Sequence, residues 1–201
     1  MTHNILESLF SGKARLAVLR RLYEAPEGLT GREAARLAGF SHQQAHNELR
    51  QLAALGIVTV QRAGAALLFR LNGKNWLAGF LEMAFKKEKE WLGSLLKDAS
   101  TGLPACVTSL VLYGSAATGA LRPGSDIDLL AIVARAADKK TALAYFAERS
   151  SLILERYNLP LSPLVLTGAE YSAKYRQNDD FARDVLKRGL VVKGKLLTEL
   201  L

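Results

Sequence analysis

Two acidic residues, Asp126 and Asp128, stand at the head of the apolar run Ile127 to Val133. Side chains alternate along a strand, so both carboxylates project from one face. Carboxylates held that close repel each other unless a cation sits between them or one takes a proton. Hard oxygen ligands, with phosphate oxygens as co-ligands, suit Mg²⁺. Upstream, a β-branched and aliphatic run from Val107 to Tyr113 stops at Gly114-Ser115. A strand that turns through Gly into a helix N-terminus exposes backbone N–H groups able to hold a phosphate. Gly allows close approach of the backbone, and Ser adds a hydroxyl. The elements that must position these groups are a strand over 107–113, a short helix over 116–120, a turn at Arg122-Pro123-Gly124-Ser125 and a strand over 126–133.

Gly114-Ser115, ten residues, then Ser125-Asp126-Ile127-Asp128-Leu129 resembles the signature of the nucleotidyltransferase superfamily with the DNA polymerase β-like palm, and within it the minimal, MNT-like members. The resemblance implies that Asp126 and Asp128 are catalytic and hold Mg²⁺ or Mn²⁺. It implies that Gly114, Ser115 and Ser125 bind a nucleoside triphosphate. Active members carry a third carboxylate on the strand that follows the next helix. Here that strand reads Leu161-Ser162-Pro163-Leu164-Val165-Leu166, the expected position falls at about Ser162, and the strand holds no acid. Thr118 also stands where antibiotic-modifying members often have Arg. Three carboxylates help to fix two metals, whereas two more easily fix one. Nucleotide binding then survives while transfer is slow or lost, and enzymatic activity stays open. Glu155 and Glu170 are candidates to substitute from outside the strand. The order after Asp128 is a helix over 139–156 with Leu143, Phe146, Ala147, Ser150 and Leu154 inward, the strand 161–166, one helical stretch over 170–188 and a short strand 190–193.

The first third of the chain has its own pattern. Helical spacing over 13–24 (Leu16, Leu19, Leu22, Tyr23) ends at Pro26 and Gly28. Thr30 and Glu33 form a capping box for a short helix over 31–38, ended by Gly39. Ser41 caps a third helix, 42–55, closed by Gly56. Its apolar stripe is Ala45, Leu49, Leu52, Ala53 and Leu55, and its other face carries His42, Gln43, Gln44, His46, Asn47 and Arg50. Strands over 57–62 and 66–71 follow, joined by Ala63-Gly64-Ala65. This order is similar to a winged helix-turn-helix domain of the ArsR/MarR type over residues 4–72. The resemblance implies double-stranded DNA as a partner, with Ser41, His42, Gln43, Gln44, His46, Asn47 and Arg50 at the major groove and Arg62 and Arg70 flanking the wing. Gln and Asn can pair with adenine and Arg with guanine. The same face also reads as a merely solvated helix face.

Together these readings give an α+β chain: a winged helix-turn-helix domain (1–74), a connector helix region (75–103) and a nucleotidyltransferase-like mixed-sheet domain (104–201). The connector carries Trp76, Phe80, Met83, Phe85 and Trp91, bulky apolar surface consistent with a homodimer. A transcriptional regulator that binds DNA and an NTP with Mg²⁺ is the expected function. The alternative is an active NMP transferase, an adenylylating enzyme or MNT-type antitoxin, acting on a protein or small-molecule acceptor. The formal charge of +8 over 201 residues favours an anionic partner. Residues 1–72 carry nine Lys and Arg against five Asp and Glu, the highest positive excess per residue. The lone Cys106 excludes an internal disulfide, and His3, His42 and His46 make no zinc set. No apolar run reaches a membrane span of about 18 residues and the start lacks a secretory pattern, so a cytoplasmic protein with no membrane partner is expected.

Overall fold

The computed structural model describes residues 5–122 and 124–201; His3 and the Pro123 position of the expected turn lie outside them. Packing divides the chain into two compact units, Met1–Glu90 and Trp91–Leu201.

In the first unit, helices α1 (Ile5–Phe10), α2 (Lys13–Glu24), α3 (Gly31–Ala38) and α4 (His42–Ala54) are followed by strands β2 (Val58–Ala63) and β3 (Ala66–Leu71). A two-residue strand β1 (Leu29–Thr30) adds to the hairpin, giving a three-stranded antiparallel sheet in the order β1-β3-β2. This is a winged-helix architecture. The caps follow the sequence: Thr30 accepts from the Glu33 N–H while the Glu33 carboxylate accepts from the Thr30 N–H. Ser41 accepts from the Gln44 N–H at the start of α4. The core is built from Val18, Leu19 and Leu22 of α2, Ala45, Leu49 and Leu52 of α4, and Phe69 of β3. The helix α5 (Ala78–Ser100) begins here, with Leu81 and Phe85 in the same core beside Leu77 just ahead of it. Phe85 is therefore core and not free surface.

In the second unit the last turns of α5 supply Leu95 and Ala99 to a different core. Strand β4 (Val107–Leu112), the short helix α6 (Gly114–Ala117), strand β5 (Ile127–Val133), helix α7 (Lys139–Tyr157), strand β6 (Leu161–Thr167), helices α8 (Gly168–Arg176) and α9 (Asp180–Arg188) and strand β7 (Leu190–Gly194) complete the chain. The sheet runs β6-β5-β4-β7, with β5 and β6 parallel and β4 antiparallel to both of its neighbours. The parallel pair is bridged by α7, the crossover such a pair requires. Leu110, Leu112, Leu129, Ala131 and Val133 face one core with Ala142, Phe146 and Ile153 of α7. Val111, Leu130 and Ile132 face another, with Tyr171 of α8 and Ala182 and Val185 of α9. Both faces are covered, so β4 and β5 read as continuous apolar runs. Pro163 is tolerated because β6 is an edge strand.

Further expectations change, and the short helix expected over 116–120 is α6 at Gly114–Ala117. Strand β5 starts at Ile127, so Asp126 sits just ahead of it. The helical stretch expected over 170–188 is two helices, because Asn178 takes φ 60° and the Asp179 side chain caps α9 through the Ala182 N–H. On α7 the buried face is Ala142, Phe146 and Ile153. Leu143 and Leu154, expected inward, are each 49% exposed, and Ala147 is exposed too.

Candidate nucleotide site and candidate DNA-reading face

Sheet register assembles the first site. In the antiparallel pair β4–β5, Leu112 faces Leu129 and the Tyr113 N–H donates to the Asp128 carbonyl at 3.0 Å. That register lays Gly114 against Asp128. Gly114 has φ +70°, and a Cβ there would collide with Asp128 Oδ2 and stand 3.1 Å from its Cγ. Only glycine satisfies both the backbone angle and the approach. In the parallel pair β5–β6, Asp128 is the register partner of Ser162. Alternation places Asp128 and Ser162 on the face of Leu130 and Leu164, covered further along by α8 and α9. The strand neighbour of Asp128 is thus a hydroxyl and not a carboxylate.

The turn between the two strands is closed by its own polar groups. The Ser115 carbonyl accepts from the Ala120 N–H at 2.9 Å, and the Thr118 hydroxyl lies within hydrogen-bond reach of the Gly114 and Ser115 carbonyls. Ser125 Oγ accepts from the Arg122 N–H at 3.1 Å. Thr118 thereby acts on the backbone of the turn.

The electrostatics single out Asp128. Burial pushes its carboxyl pKa up, and the neighbouring charge of Asp126 adds to the shift. Tyr113, half-buried beside it, is raised by burial and by Asp128, and its ring meets Phe181 edge-on at 5.2 Å. Glu170 is the opposite case. Its carboxylate takes hydrogen bonds from Lys139 and the Thr167 N–H, and its pKa falls to about 2, with Lys139 the larger cause. It follows Thr167, the register partner of Val133, at the far end of the strands from Asp128. Glu170 does not join the pair. Glu155 is exposed, and among the described residues no group of three His, Cys, Asp or Glu could hold a metal. Two carboxylates, one of them disfavoured in its charged form, beside a glycine that leaves room, fit one divalent cation. They do not fit two.

The second site is local. The N-cap Ser41 and His42, Gln43, Gln44, Asn47 and Arg50 of α4 are exposed, and His46 is half-buried. The His42 and His46 rings stack at 5.8 Å, and Gln43 donates to Asn47 at 3.0 Å. Arg62 is exposed on the wing, whereas Arg70 donates from Nε to the Glu27 carbonyl at 2.6 Å and is tied to the fold. A cleft of about 540 Å³ lies between α4 and the wing, lined by His42, His46, Leu67 and Phe69 and by Arg32. Arg32 escaped the sequence reading because its nearness to α4 comes from tertiary packing. Arg15 was also missed. It is 5% exposed and reaches Glu48 at 2.6 Å and the Gln51 side chain, both on α4. A signal was present: Arg15, Val18, Leu19 and Leu22 fall on one helix face.

A family model described as a nucleotidyltransferase domain matches residues 92–197. The chain belongs to the nucleotidyltransferase family. Among curated proteins none matches. Solved structures that resemble it include a predicted DNA-binding transcriptional regulator from E. coli, at 23% identity over 43% of this chain and 85% of that one, TM-score 0.37. The AntR antimony-specific transcriptional repressor matches at 24% identity over 43% and 77%, also with TM-score 0.37. Human N-acetylserotonin methyltransferase in complex with SAM matches at 16% identity over 50% and 35%, TM-score 0.32. No helix among the described residues is long and apolar enough to cross a membrane.

Proposed function

We propose that this chain is a DNA-binding regulator of transcription whose nucleotidyltransferase domain binds an NTP with one Mg²⁺ or Mn²⁺ and transfers its NMP group slowly or not at all. The observation that carries the reading is the register: Asp128 lies against Gly114 on one side and beside Ser162 on the other. Asp126 and Asp128 would hold the cation. Gly114, Ser115 and Ser125 would receive the phosphates. When bound, the cation would neutralise phosphate charge next to the two carboxylates, as phosphoryl-transfer sites require. Ser162 cannot take a metal or a proton as a carboxylate does, which leaves the attacking hydroxyl without its usual base. Titration calorimetry with ATP and Mg²⁺ tests the binding half: saturable binding is expected in wild type, and its loss in the Asp126→Asn/Asp128→Asn double variant. Absence of binding in wild type refutes it.

The second reading, NMP transfer to a protein acceptor, is favoured by the family membership and opposed by Ser162. Labelled-NMP incorporation that depends on Asp126 and Asp128 would establish it over the first. On the other unit, the exposed amide-, His- and Arg-bearing face of α4 supports double-stranded DNA as the partner. The rings of the exposed Phe10 and Phe80 meet at 6.4 Å, and Met83 and the 75%-exposed Trp76 are further exposed apolar side chains of this unit; we read them as supplying a homodimer surface. Light scattering should give about twice the 21.9 kDa chain mass, and a monomer at tens of micromolar rejects the dimer.

A further inference from the structure

The winged-helix unit contains a second cavity, away from the α4–wing cleft. It measures about 260 Å³ and lies among the end of α2, the segment leaving the wing and the start of α5. Its apolar lining includes Leu22, Ile57 and Leu81, each under 5% exposed, with the half-buried Tyr23 at the wall. Two asparagines also line it, each with one amide N–H and its oxygen committed to the fold. Asn72 and Asn75 both donate to the Gly56 carbonyl, at 2.8 and 3.1 Å, and their side-chain oxygens accept from the Lys74 and Leu77 N–H groups. Tyr23 packs its ring on Phe85 at 5.4 Å. The one charged side chain in the lining is the exposed Glu82, which makes no ion pair among the described residues.

From this lining we infer that the cavity is a binding site for a small apolar amine, one ring on a short arm ending in an ammonium group. Volume sets the size. A dry cavity of about 150 Å³ accepts benzene, so this one accommodates a ring and a short arm. The apolar walls favour the ring by the hydrophobic effect. The anionic rim favours a cationic head over an anionic one of the same shape, because like charge at the rim repels. Glu82 is the charged anchor in the lining. The position gives the site a consequence. The asparagines that brace its wall also hold the turn at Gly56, which closes α4. A ligand wedged between Leu71 and Ala78 therefore bears on both the wing and α5.

The test uses the full chain and phenethylamine, followed by amide chemical shifts. Saturable shifts are expected at Tyr23, Ile57, Leu71 and Ala78. Phenylacetate, of closely similar shape with the opposite charge, should produce weaker binding or none. Glu82→Gln, an exposed change that leaves the core intact, should weaken phenethylamine by about two- to fivefold, the range of a solvent-exposed ion pair. It should leave the neutral isostere 2-phenylethanol unchanged. Ala78→Phe, which fills the cavity, should abolish binding of both. The inference is overturned if phenethylamine gives no saturable shift up to about 10 mM, if phenylacetate binds as well as the amine, or if Glu82→Gln leaves the amine's affinity unchanged.

Discussion

The two candidate sites are built in opposite ways. On α4 the polar residues come from one stretch of sequence, 41–50, and their spacing on a helix is enough to bring them to one face. At the end of the sheet, Gly114, Asp128 and Ser162 come from three separated segments, and only strand register brings them together. A local site survives as long as its helix does. A register-built site depends on every contact that holds neighbouring strands in phase, because a slip of one residue turns each side chain to the other face. The two units should therefore respond differently to single substitutions.

The largest difference is expected at Gly114. Alanine there meets the Asp128 carboxylate and must adopt φ near +70°, a conformation that costs L-residues about 1–2 kcal/mol before any clash is counted. Gly114→Ala should reduce ATP–Mg²⁺ affinity by more than about tenfold while leaving DNA binding unchanged, measured by calorimetry and by gel shift on the same preparation. Equal loss of both activities would contradict the independence of the sites. Next in size, Asn47→Ala or Arg50→Ala on α4 should cost about 1–3 kcal/mol at a preferred DNA site and less on random sequence. Nucleotide binding should not move. If specific and random DNA weaken alike, the face contributes charge without reading bases.

The same contrast explains what the sequence disclosed. In the first unit the start and stop signals are short-range, and Thr30, Glu33, Ser41 and Gly39 cap the helices as their types suggest. Strand β1 escaped because two residues carry no period. Arg15 escaped because a charged side chain on an apolar face reads as an interruption until Glu48 and Gln51 are seen across from it. In the second unit the motif spacing points to Gly114, Asp126 and Asp128, but the approach of Gly114 to Asp128 lies in the register. The inward set expected on α7 mixes two apolar stripes: Phe146 is buried with Ala142 and Ile153, whereas Leu143, Ala147 and Leu154 lie about 100° away on the helix and are exposed. Periodicity cannot choose between two apolar stripes. The break between α8 and α9 was written in Asn178-Asp179, a residue able to take positive φ followed by a cap.

A smaller effect separates carboxylates that serve the fold from those placed for a ligand. Asp128 has its pKa raised by burial and then by Asp126. An acid whose folded pKa lies above its unfolded value opposes folding once it ionises, so its contribution worsens as pH rises through that window. Asp128→Asn should therefore raise the metal-free Tm at neutral pH by about 1–3 °C. Mg²⁺ should raise the Tm of wild type and not of the variant, because a ligand that binds only the folded state stabilises it. A metal-free variant that melts below wild type would show Asp128 to be a structural residue after all.

Glu170 supplies the opposite sign and the smallest effect. Its folded pKa is depressed to about 2, first by Lys139 and then by the Thr167 N–H. A depressed acid contributes stability that is fully present above its unfolded pKa of 4.5 and is lost as pH falls from there towards 2. The Lys139 contact is partly exposed, so salt should screen it. The Thr167 N–H bond is a helix cap, which salt does not remove. Melting curves between pH 6 and pH 2 should show wild type losing Tm more steeply than Glu170→Gln, with Lys139→Met between them. Added salt should bring wild type as far as Lys139→Met and no further towards Glu170→Gln. Were Lys139→Met to match Glu170→Gln at every pH, the cap would contribute nothing and the ion pair would account for the whole shift.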